Sequence, residues 1–217
     1  MVTSLHGFRG SHDPFRVGVV LLAAGRSSRM GQPKLLLPWG KTSIIGHLIE
    51  EWRAINARQI AVVCAAGDMT IQAELDRLGF SAGDRIINPA PDRGMFSSLQ
   101  CAAQWKGWRP DLTHWAIVLG DQPHLSAQLL QTLLDFGATH LEQISLPKQG
   151  GHRRHPVILP RRAFQELATS NQPDLKGFLD APPLPLALCA TDDPALEMDI
   201  DAPGDYDRAV GIFFPNG

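Results

Sequence analysis

Continuous runs of apolar residues predict the strands of a buried, mostly parallel sheet. Residues 17–22 are rich in Val and Leu and do not alternate with polar residues, which is typical of a strand covered on both faces. Runs of the same kind occur at 59–65 and 115–119, and residues 85–88 predict a shorter strand between them. The pattern therefore predicts strands that lie inside the protein rather than on its surface.

Between these strands, apolar residues recur at helical spacing and predict helices. The first helix begins at about Ser43, and further helices are expected at 69–78, after Gly94 and at 126–136. The buried face of the first helix is predicted to contain Ile44, Ile45, Leu48, Ile49, Trp52 and Ile55. Strands that alternate with helices indicate βαβ units, whose sheets bind ligands beyond the carboxyl ends of the strands.

The order of elements changes after residue 144. Two short strands around the turn Gly150-Gly151 predict a hairpin-like insertion, and 184–189 predicts a last strand before a final helix. The single α/β domain is expected to extend over 17–212. Residues 1–16 lack an apolar core, so they are predicted to form a flexible tail rather than a signal peptide.

The loop after the first strand has the composition of a phosphate-binding loop. Ala23, Ala24 and Gly25 let a ligand approach the main chain, and Arg29 and Lys34 are suited to binding phosphate. The glycine spacing fits neither a Walker A loop nor a dinucleotide fingerprint, which disfavours a nicotinamide enzyme. A turn with two solvated cations is the alternative interpretation.

Asp121 is the second candidate for chemistry, because it directly follows the strand at 115–119 within Gly120-Asp121-Gln122-Pro123. A carboxylate at the tip of a buried strand faces the region where ligands bind. Mg²⁺ favours one or two carboxylates together with phosphate oxygens and water. Asp121 is therefore predicted to be a Mg²⁺ ligand.

Two further clusters are weaker candidates. Ser97 and Ser98 lie in the first turn of the helix after Gly94, where they suit contacts to a ribose or a base, although an ordinary helix cap is the alternative. The run 152–155 contains two His and two Arg and suits an anionic acceptor, with an exposed basic turn as the alternative.

Charge and cysteine content narrow the classes of partner. The chain has 217 residues, with 20 basic and 22 acidic side chains and a formal net charge of −2. With so small a net charge, neither nucleic acid nor a membrane surface is expected as a partner. No apolar run approaches the length of a membrane-spanning helix, about 20 residues. Cys64, Cys101 and Cys189 form no C-x-x-C pair, so a reducing, cytoplasmic location is predicted.

Residues 22–34 resemble the signature L-A-A-G-x-S-x-R-M-G-x-x-K of the MobA/MocA-like nucleotidyltransferases, which act on the molybdenum cofactor. The matched positions are Leu22, Ala23, Ala24, Gly25, Ser27, Arg29, Met30, Gly31 and Lys34. The family's G-D-Q-P is matched in full at 120–123, and its G-M-x-x-S-L at 94–99.

The resemblance implies a Rossmann-like, three-layer α/β/α fold of GT-A type and a loop that wraps a nucleoside triphosphate. Arg29, Lys34 and Asp121 would be the catalytic residues. The residues implied in nucleotide binding are Leu22, Ala23, Ala24, Gly25, Ser27, Gly94, Ser97, Ser98 and Gln122. Residues 198–206 are similar to D-I-D-T-P-E-D-Y, so Asp201 is the expected second Mg²⁺ ligand, with Asp199 as the alternative.

The match is loosest in the segments implied in acceptor binding. His155 and Pro156 match the family's G-x-R-G-H-P, but Arg154 replaces a glycine. The family's G-D-x-G-A-R-x-L-L is matched here only by a basic residue, Lys176, and by the apolar residues at its end. The resemblance therefore implies His155 and Lys176 as acceptor-binding residues in a region where this chain departs from the family.

The expected reaction is nucleotidyl transfer, in which the acceptor's phosphate attacks the α-phosphorus of a nucleoside triphosphate and pyrophosphate leaves. A phosphate monoester has a second pKa of about 6, so no general base is needed. Cytidylyl members of the family carry L-A-A-G and guanylyl members L-A-G-G. Ala24 therefore favours CTP as donor, with molybdopterin or the molybdenum cofactor as acceptor and a target molybdoenzyme as a further candidate partner.

Three alternatives stay open at this stage. A guanylyltransferase would use GTP with the same acceptor, and a cytidylyl- or sugar-nucleotide transferase would use another phosphorylated acceptor. A nucleotide-binding maturation factor for molybdoenzymes would bind without turnover. Magnesium-dependent release of pyrophosphate separates the enzymes from the last alternative.

Overall fold

The computed structural model describes residues 15–25 and 30–215, in which strands and helices alternate along most of the chain. The strands are β1 (Val17–Ala23), β2 (Pro38–Trp39), β3 (Thr42–Ser43), β4 (Gln59–Ala65), β5 (Arg85–Asn88), β6 (His114–Leu119), β7 (Ile144–Gln149), β8 (His152–Arg153), β9 (Val157–Pro160) and β10 (Leu186–Ala190). The α-helices are α1 (Ile44–Ala54), α2 (Met69–Arg77), α3 (Met95–Gln104), α4 (Ala127–Ala138), α5 (Arg161–Leu167), α6 (Leu175–Asp180) and α7 (Pro203–Phe213).

The central sheet has the order β10-β7-β9-β6-β1-β4-β5, with the short β8 beside β7. The pairs β10–β7, β6–β1, β1–β4 and β4–β5 are parallel. β9 runs antiparallel between β6 and β7. β2 and β3 form a separate antiparallel pair. The predicted class, a single α/β domain with a mostly parallel sheet, is confirmed.

The predicted hairpin-like insertion is wrong in one respect. The turn at Gly150-Gly151 joins β7 to the two-residue β8, where Gln149 pairs with His152. β9 pairs antiparallel with β7, as two strands around this turn should, but its other edge pairs with β6. Both strands therefore belong to the central sheet and not to an insertion.

Helices cover both faces of the sheet. On one face α1, α2, α4 and α7 pack against residues such as Val19 and Leu21, and on the other α3, α5 and α6 pack against residues such as Val20. This arrangement gives the three layers that the resemblance implied. α1 begins where predicted, since the Ser43 hydroxyl accepts a hydrogen bond from the Gly46 amide at 3.2 Å.

The domain includes the last two residues of the predicted tail. The Phe15 ring lies 4.6 Å from the ring of His114, measured between centroids, and the Arg16 amide donates to the Thr113 hydroxyl at 2.9 Å. Residues 1–14 of that tail lie outside the described residues. Within the described part of the chain, no helix is long and apolar enough to cross a membrane.

We expect the sheet's stability to depend on buried leucines rather than on their exposed neighbours. Leu146 on β7 is 2% exposed, and Leu188, its register partner on β10, is 39% exposed. Leu146→Ala should lower the free energy of unfolding by about 2–5 kcal/mol, because it leaves a cavity. Leu188→Ala is the matched control and should cost less than about 1 kcal/mol.

Urea unfolding followed by circular dichroism measures both values. Equal losses from the two variants would contradict the register and burial assigned to β7 and β10.

Candidate active site

A cavity of about 340 Å³ lies beyond the carboxyl ends of β1 and β6. Its lining consists of Leu22, Ala24, Gly25, Lys34, Leu35, Pro91, Gly94, Met95, Ser98, Leu119, Gly120 and Asp121. The location is the one expected for a parallel sheet, since neighbouring parallel strands end at the same edge. We call this space the first cavity.

The structure brings most of the predicted nucleotide-binding residues to the first cavity, but not all of them. Leu22, Ala24, Gly25, Gly94 and Ser98 line it together with Lys34 and Asp121. Ala23, Ser97 and Gln122 are buried elsewhere and do not line it. Ser27 and Arg29 lie outside the described residues.

Asp121 follows β6 after a single residue, Gly120. A Cβ at Gly120 would lie 2.3 Å from a terminal carbon of Leu35, so any larger residue there would force the Leu35 side chain to move. The Oδ1 atom of Asp121 is buried and has no hydrogen-bond partner among the described residues. Burial raises the pKa of Asp121, against the opposing effect of the Lys34 ammonium, and the carboxylates of Asp199 and Asp201 raise it further.

Lys34 connects three parts of the chain. Its Nζ atom donates to the Ile200 carbonyl oxygen at 2.7 Å. The same atom lies 3.9 Å from Oδ2 of Asp121 and 3.7 Å from Oδ1 of Asp201. The three charged residues predicted from separate motifs are therefore neighbours, with the Asp201 side chain 47% exposed.

The segment that carries Asp201 is fixed by the loop after β6. The Ile200 amide donates to the Asp121 carbonyl oxygen at 2.9 Å, and Nε2 of Gln122 donates to Oδ1 of Asp199 at 2.9 Å. The ring nitrogen Nε2 of His124 lies 2.8 Å from the Ala195 carbonyl oxygen. Gln122 therefore supports residues 194–201 from behind the cavity, which explains why its side chain does not line it.

The two carboxylates at this edge suit a metal that takes only part of its coordination from protein. Among residues 15–25 and 30–215, no group of three or more His, Cys, Asp or Glu side chains is arranged to hold a metal ion. Mg²⁺ commonly binds one or two carboxylates and completes its shell with phosphate oxygens and water. The unpartnered Oδ1 of Asp121, close to Asp201, fits that kind of donor set.

Hydrogen bonds at the start of α3 distinguish Ser98 from Ser97. Nδ2 of Asn88 donates to Ser97 Oγ at 2.8 Å and to Ser98 Oγ at 2.9 Å. The Ser97 hydroxyl donates to the Gly94 carbonyl oxygen at 2.7 Å, which uses its hydrogen within the loop. Ser98 lines the first cavity, and its own hydrogen has no acceptor in the described part of the chain.

A second cavity of about 570 Å³ borders the first. Its lining consists of Met95, Leu146, Gly151, His152, Arg153, Arg154, His155, Val157, Asp174, Leu175, Lys176 and Leu179. Both residues predicted to bind the acceptor, His155 and Lys176, are in this lining. The structure thus places the two acceptor-binding candidates in one space, next to the nucleotide-binding candidates.

The predicted cluster of two His and two Arg lines the second cavity, but both arginines form ion pairs with carboxylates of the protein. Arg153 forms an ion pair with Asp180 and donates from Nη1 to the Leu179 carbonyl oxygen at 2.7 Å. Nη2 of Arg154 lies 3.8 Å from Oε1 of Glu197.

Burial lowers the pKa of His155 to about 4, although the Ile117 carbonyl and the Asp199 carboxylate oppose the shift. His155 is therefore neutral near pH 7. Lys176 has no ion-pair partner in the described ranges. In this it differs from Arg153 and Arg154, each of which has a carboxylate partner.

Several lining residues were not predicted as site residues. Leu35, Pro91, Met95, Leu119 and Gly120 line the first cavity but have side chains without polar groups for chemistry. Gly120 belongs to the G-D-Q-P motif and Met95 to the G-M-x-x-S-L motif. Both positions were therefore noted in the sequence, but no role was predicted for either side chain. Asp199, the alternative metal ligand, accepts a hydrogen bond from the Gln122 side-chain amide at its Oδ1 atom.

Comparison with known families agrees with this geometry. The model of the MobA-like NTP transferase domain matches residues 19–183, and the chain belongs to this family. The resemblance inferred from the phosphate loop and from G-D-Q-P is therefore confirmed. The matched range ends before Asp201, so the residues that complete the charged cluster lie outside it.

The relatives that match this chain include both a cytidylyltransferase and a guanylyltransferase. The molybdenum cofactor cytidylyltransferase of Escherichia coli K12 is 25% identical over 153 residues, which cover 69% of this chain and 73% of that protein. The molybdenum cofactor guanylyltransferase of Rhizobium johnstonii is 30% identical over 148 residues, covering 68% and 64%.

Another curated relative is much longer than this chain. The bifunctional protein GlmU of Cereibacter sphaeroides is 27% identical over 131 residues, which cover 59% of this chain and only 28% of that protein.

Solved structures of similar fold include Rv0371c from Mycobacterium tuberculosis H37Rv. It superposes with a TM-score of 0.74 at 26% identity, over 89% of this chain and 96% of that protein. The fold is therefore shared over 89% of this chain.

We expect Gln122 to hold the Asp201 segment in place. Gln122→Leu removes the bond to Asp199, so exchange of the Ile200 amide should become about fivefold faster, corresponding to about 1 kcal/mol of local stability. Hydrogen exchange followed by NMR measures this rate. The control is Gln131→Leu, which removes an exposed Gln–Asp bond of 2.7 Å to Asp135 and should leave Ile200 unchanged. Unchanged exchange in Gln122→Leu would contradict the supporting role.

Proposed function

We propose that this protein transfers a cytidylyl group from CTP to the phosphate of molybdopterin or its molybdenum-loaded form, releasing pyrophosphate. The observation that carries the proposal is the cluster of Lys34, Asp121 and Asp201 at the edge of the first cavity. Family membership supports the class of reaction, and the named relatives support the acceptor.

The first cavity would hold the triphosphate. The main chain at Gly25 allows close approach of a phosphate, and the Lys34 ammonium is one of three charged groups at the same edge. The Ile200 carbonyl and the carboxylates of Asp121 and Asp201 hold this ammonium group at the edge of the cavity. Lys34 would stabilise the negative charge that develops on the leaving pyrophosphate.

Asp121 and Asp201 would hold Mg²⁺, and the ion when bound would neutralise part of the triphosphate charge. Two observations support a Mg²⁺ ion at these residues. The two carboxylates lie close to the same ammonium group, and one oxygen of Asp121 has no hydrogen-bond partner among the described residues. Gln122 and the Asp121 carbonyl would keep Asp201 at that position through the 194–201 segment.

The second cavity would hold the acceptor, with its phosphate near Lys176. The apolar side chains of Leu146, Val157 and Leu179 form part of the lining and suit the body of a ring compound. Neutral His155 would donate or accept a hydrogen bond rather than supply charge. No residue needs to remove a proton, because the acceptor phosphate is largely dianionic at neutral pH.

The donor base is proposed from Ala24. This residue lines the first cavity, so its Cβ occupies space that a glycine would leave for a larger base. The named relatives include both cytidylyl- and guanylyltransferases, which makes GTP the second candidate donor. A non-catalytic nucleotide-binding protein would keep the first cavity but release no pyrophosphate.

We expect Asp121→Asn and Lys34→Ala each to slow pyrophosphate release by about 10²- to 10³-fold, because each removes a charge aimed at the phosphates. Asp121→Asn should fold normally, since the bond from the Ile200 amide is to the main chain of Asp121. Steady-state release with CTP, Mg²⁺ and molybdopterin is the measurement, and circular dichroism checks the fold.

The matched controls are Asp192→Asn and Lys106→Ala, which alter exposed residues that line neither cavity. They should keep the wild-type rate. Near-normal turnover in Asp121→Asn or Lys34→Ala would overturn their assignment as catalytic residues.

The donor is tested by offering CTP, GTP, ATP and UTP separately to the wild-type protein and to Ala24→Gly. We expect release with CTP in the wild type and a rise of at least about tenfold in the GTP-to-CTP ratio in Ala24→Gly, since the pocket gains space. Wild-type preference for GTP would keep the reaction and reverse the donor. Absence of release with any triphosphate would favour the binding protein.

A further inference from the structure

Met95 is the one residue, within the described ranges, that lines both cavities. It is the first residue of α3 and follows Gly94, whose φ of 85° turns the chain into the helix. The side chain is 41% exposed, although it is large and apolar. An exposed apolar side chain between two cavities that would hold charged ligands has no packing role sufficient to explain it.

Each cavity also has a glycine in its lining with open space where a side chain would be. Gly94 borders the first cavity and Gly151 the second, and a Cβ at either position would meet no atom within 4 Å. The border between the cavities is therefore filled by the flexible, unbranched side chain of Met95 rather than by its neighbours. Such a side chain adapts its shape to ligands on both sides.

We propose that Met95 is a positioning residue that excludes water from the border where the acceptor's phosphate meets the α-phosphorus of the nucleoside triphosphate. This inference rests on the proposed function. The acceptor's oxygen and a water oxygen compete for the same phosphorus atom. An apolar group at the border disfavours water there but does not hinder a phosphate that is already bound beside Lys176.

The competing reaction is hydrolysis of the donor. A water oxygen forms a bond to the α-phosphorus, and the bond from that phosphorus to the bridging oxygen of pyrophosphate breaks. The proton of the attacking water passes to solvent, and the products are CMP and pyrophosphate. Pyrophosphate release alone does not distinguish this reaction from transfer, but CMP and the dinucleotide product do.

The experiment measures CMP and dinucleotide together by liquid chromatography, with CTP, Mg²⁺ and molybdopterin present. Met95→Ala removes most of the apolar side chain and should raise the CMP-to-dinucleotide ratio by at least about tenfold. Water would then reach the α-phosphorus more easily, and the acceptor's phosphate would be held less firmly beside it. Met95→Leu keeps the bulk and should stay within about twofold of the wild type.

Met69→Ala is the matched control. Met69 is also the first residue of a helix, α2, and is 74% exposed, but it lines neither cavity. It should leave the product ratio unchanged. Thermal unfolding of all three variants should differ little from that of the wild type, because both methionines are exposed.

An increased ratio in Met95→Ala, restored in Met95→Leu and absent in Met69→Ala, would support the proposal. An unchanged ratio in Met95→Ala, with dinucleotide still formed, would overturn the proposal and leave the proposed function intact. A wild-type protein that forms no dinucleotide and releases no pyrophosphate would instead overturn the proposed function, and the role of Met95 with it.

Discussion

The candidate site depends on the main chain of Ile200. Its amide donates to the carbonyl of Asp121, and its carbonyl accepts from the Lys34 ammonium. The Ile200 side chain is fully buried in the core on the α1 and α4 face of the sheet. Apolar packing therefore sets the position of a residue whose polar atoms hold two charged groups together.

This arrangement connects the charged cluster to the core. Lys34 and Asp121 follow different strands, yet the main chain of one buried isoleucine bonds to both of them and directly precedes Asp201. Gln122 and His124 strengthen the same connection from behind. In the second cavity, the basic groups of Arg153 and Arg154 pair with two separate carboxylates, those of Asp180 and Glu197.

Much of the fold could be predicted, because buried parallel strands have an unambiguous pattern of apolar residues. β4 and β5 were predicted with their exact bounds, and Ser43 and Ser126 were identified as the starts of helices whose first amides they bind. The strand β9 was predicted but was assigned to an insertion, because a short apolar run does not reveal all of its partners. Only the tertiary structure shows that it also pairs with β6 and so belongs to the central sheet.

The charged centre of the site was predictable, whereas its supporting contacts were not. Asp121 and Lys34 stand in motifs with a chemical reason for each residue type. The bond from Gln122 to Asp199 joins positions 77 residues apart and has no local pattern. His155 is neutral because it is buried. The basic residues around it in the sequence gave no sign of that burial.

The bond between Lys34 and Ile200 also affects how the protein is made. These residues are 166 positions apart, so at 5–20 residues per second a ribosome adds Ile200 roughly 8–33 s after Lys34. Asp121 is added 79 positions before Ile200, so for the last part of that interval the phosphate loop and Asp121 exist in the nascent chain without the residue that holds them together. The charged centre is therefore completed late in translation, and a chain that stops before Ile200 lacks it.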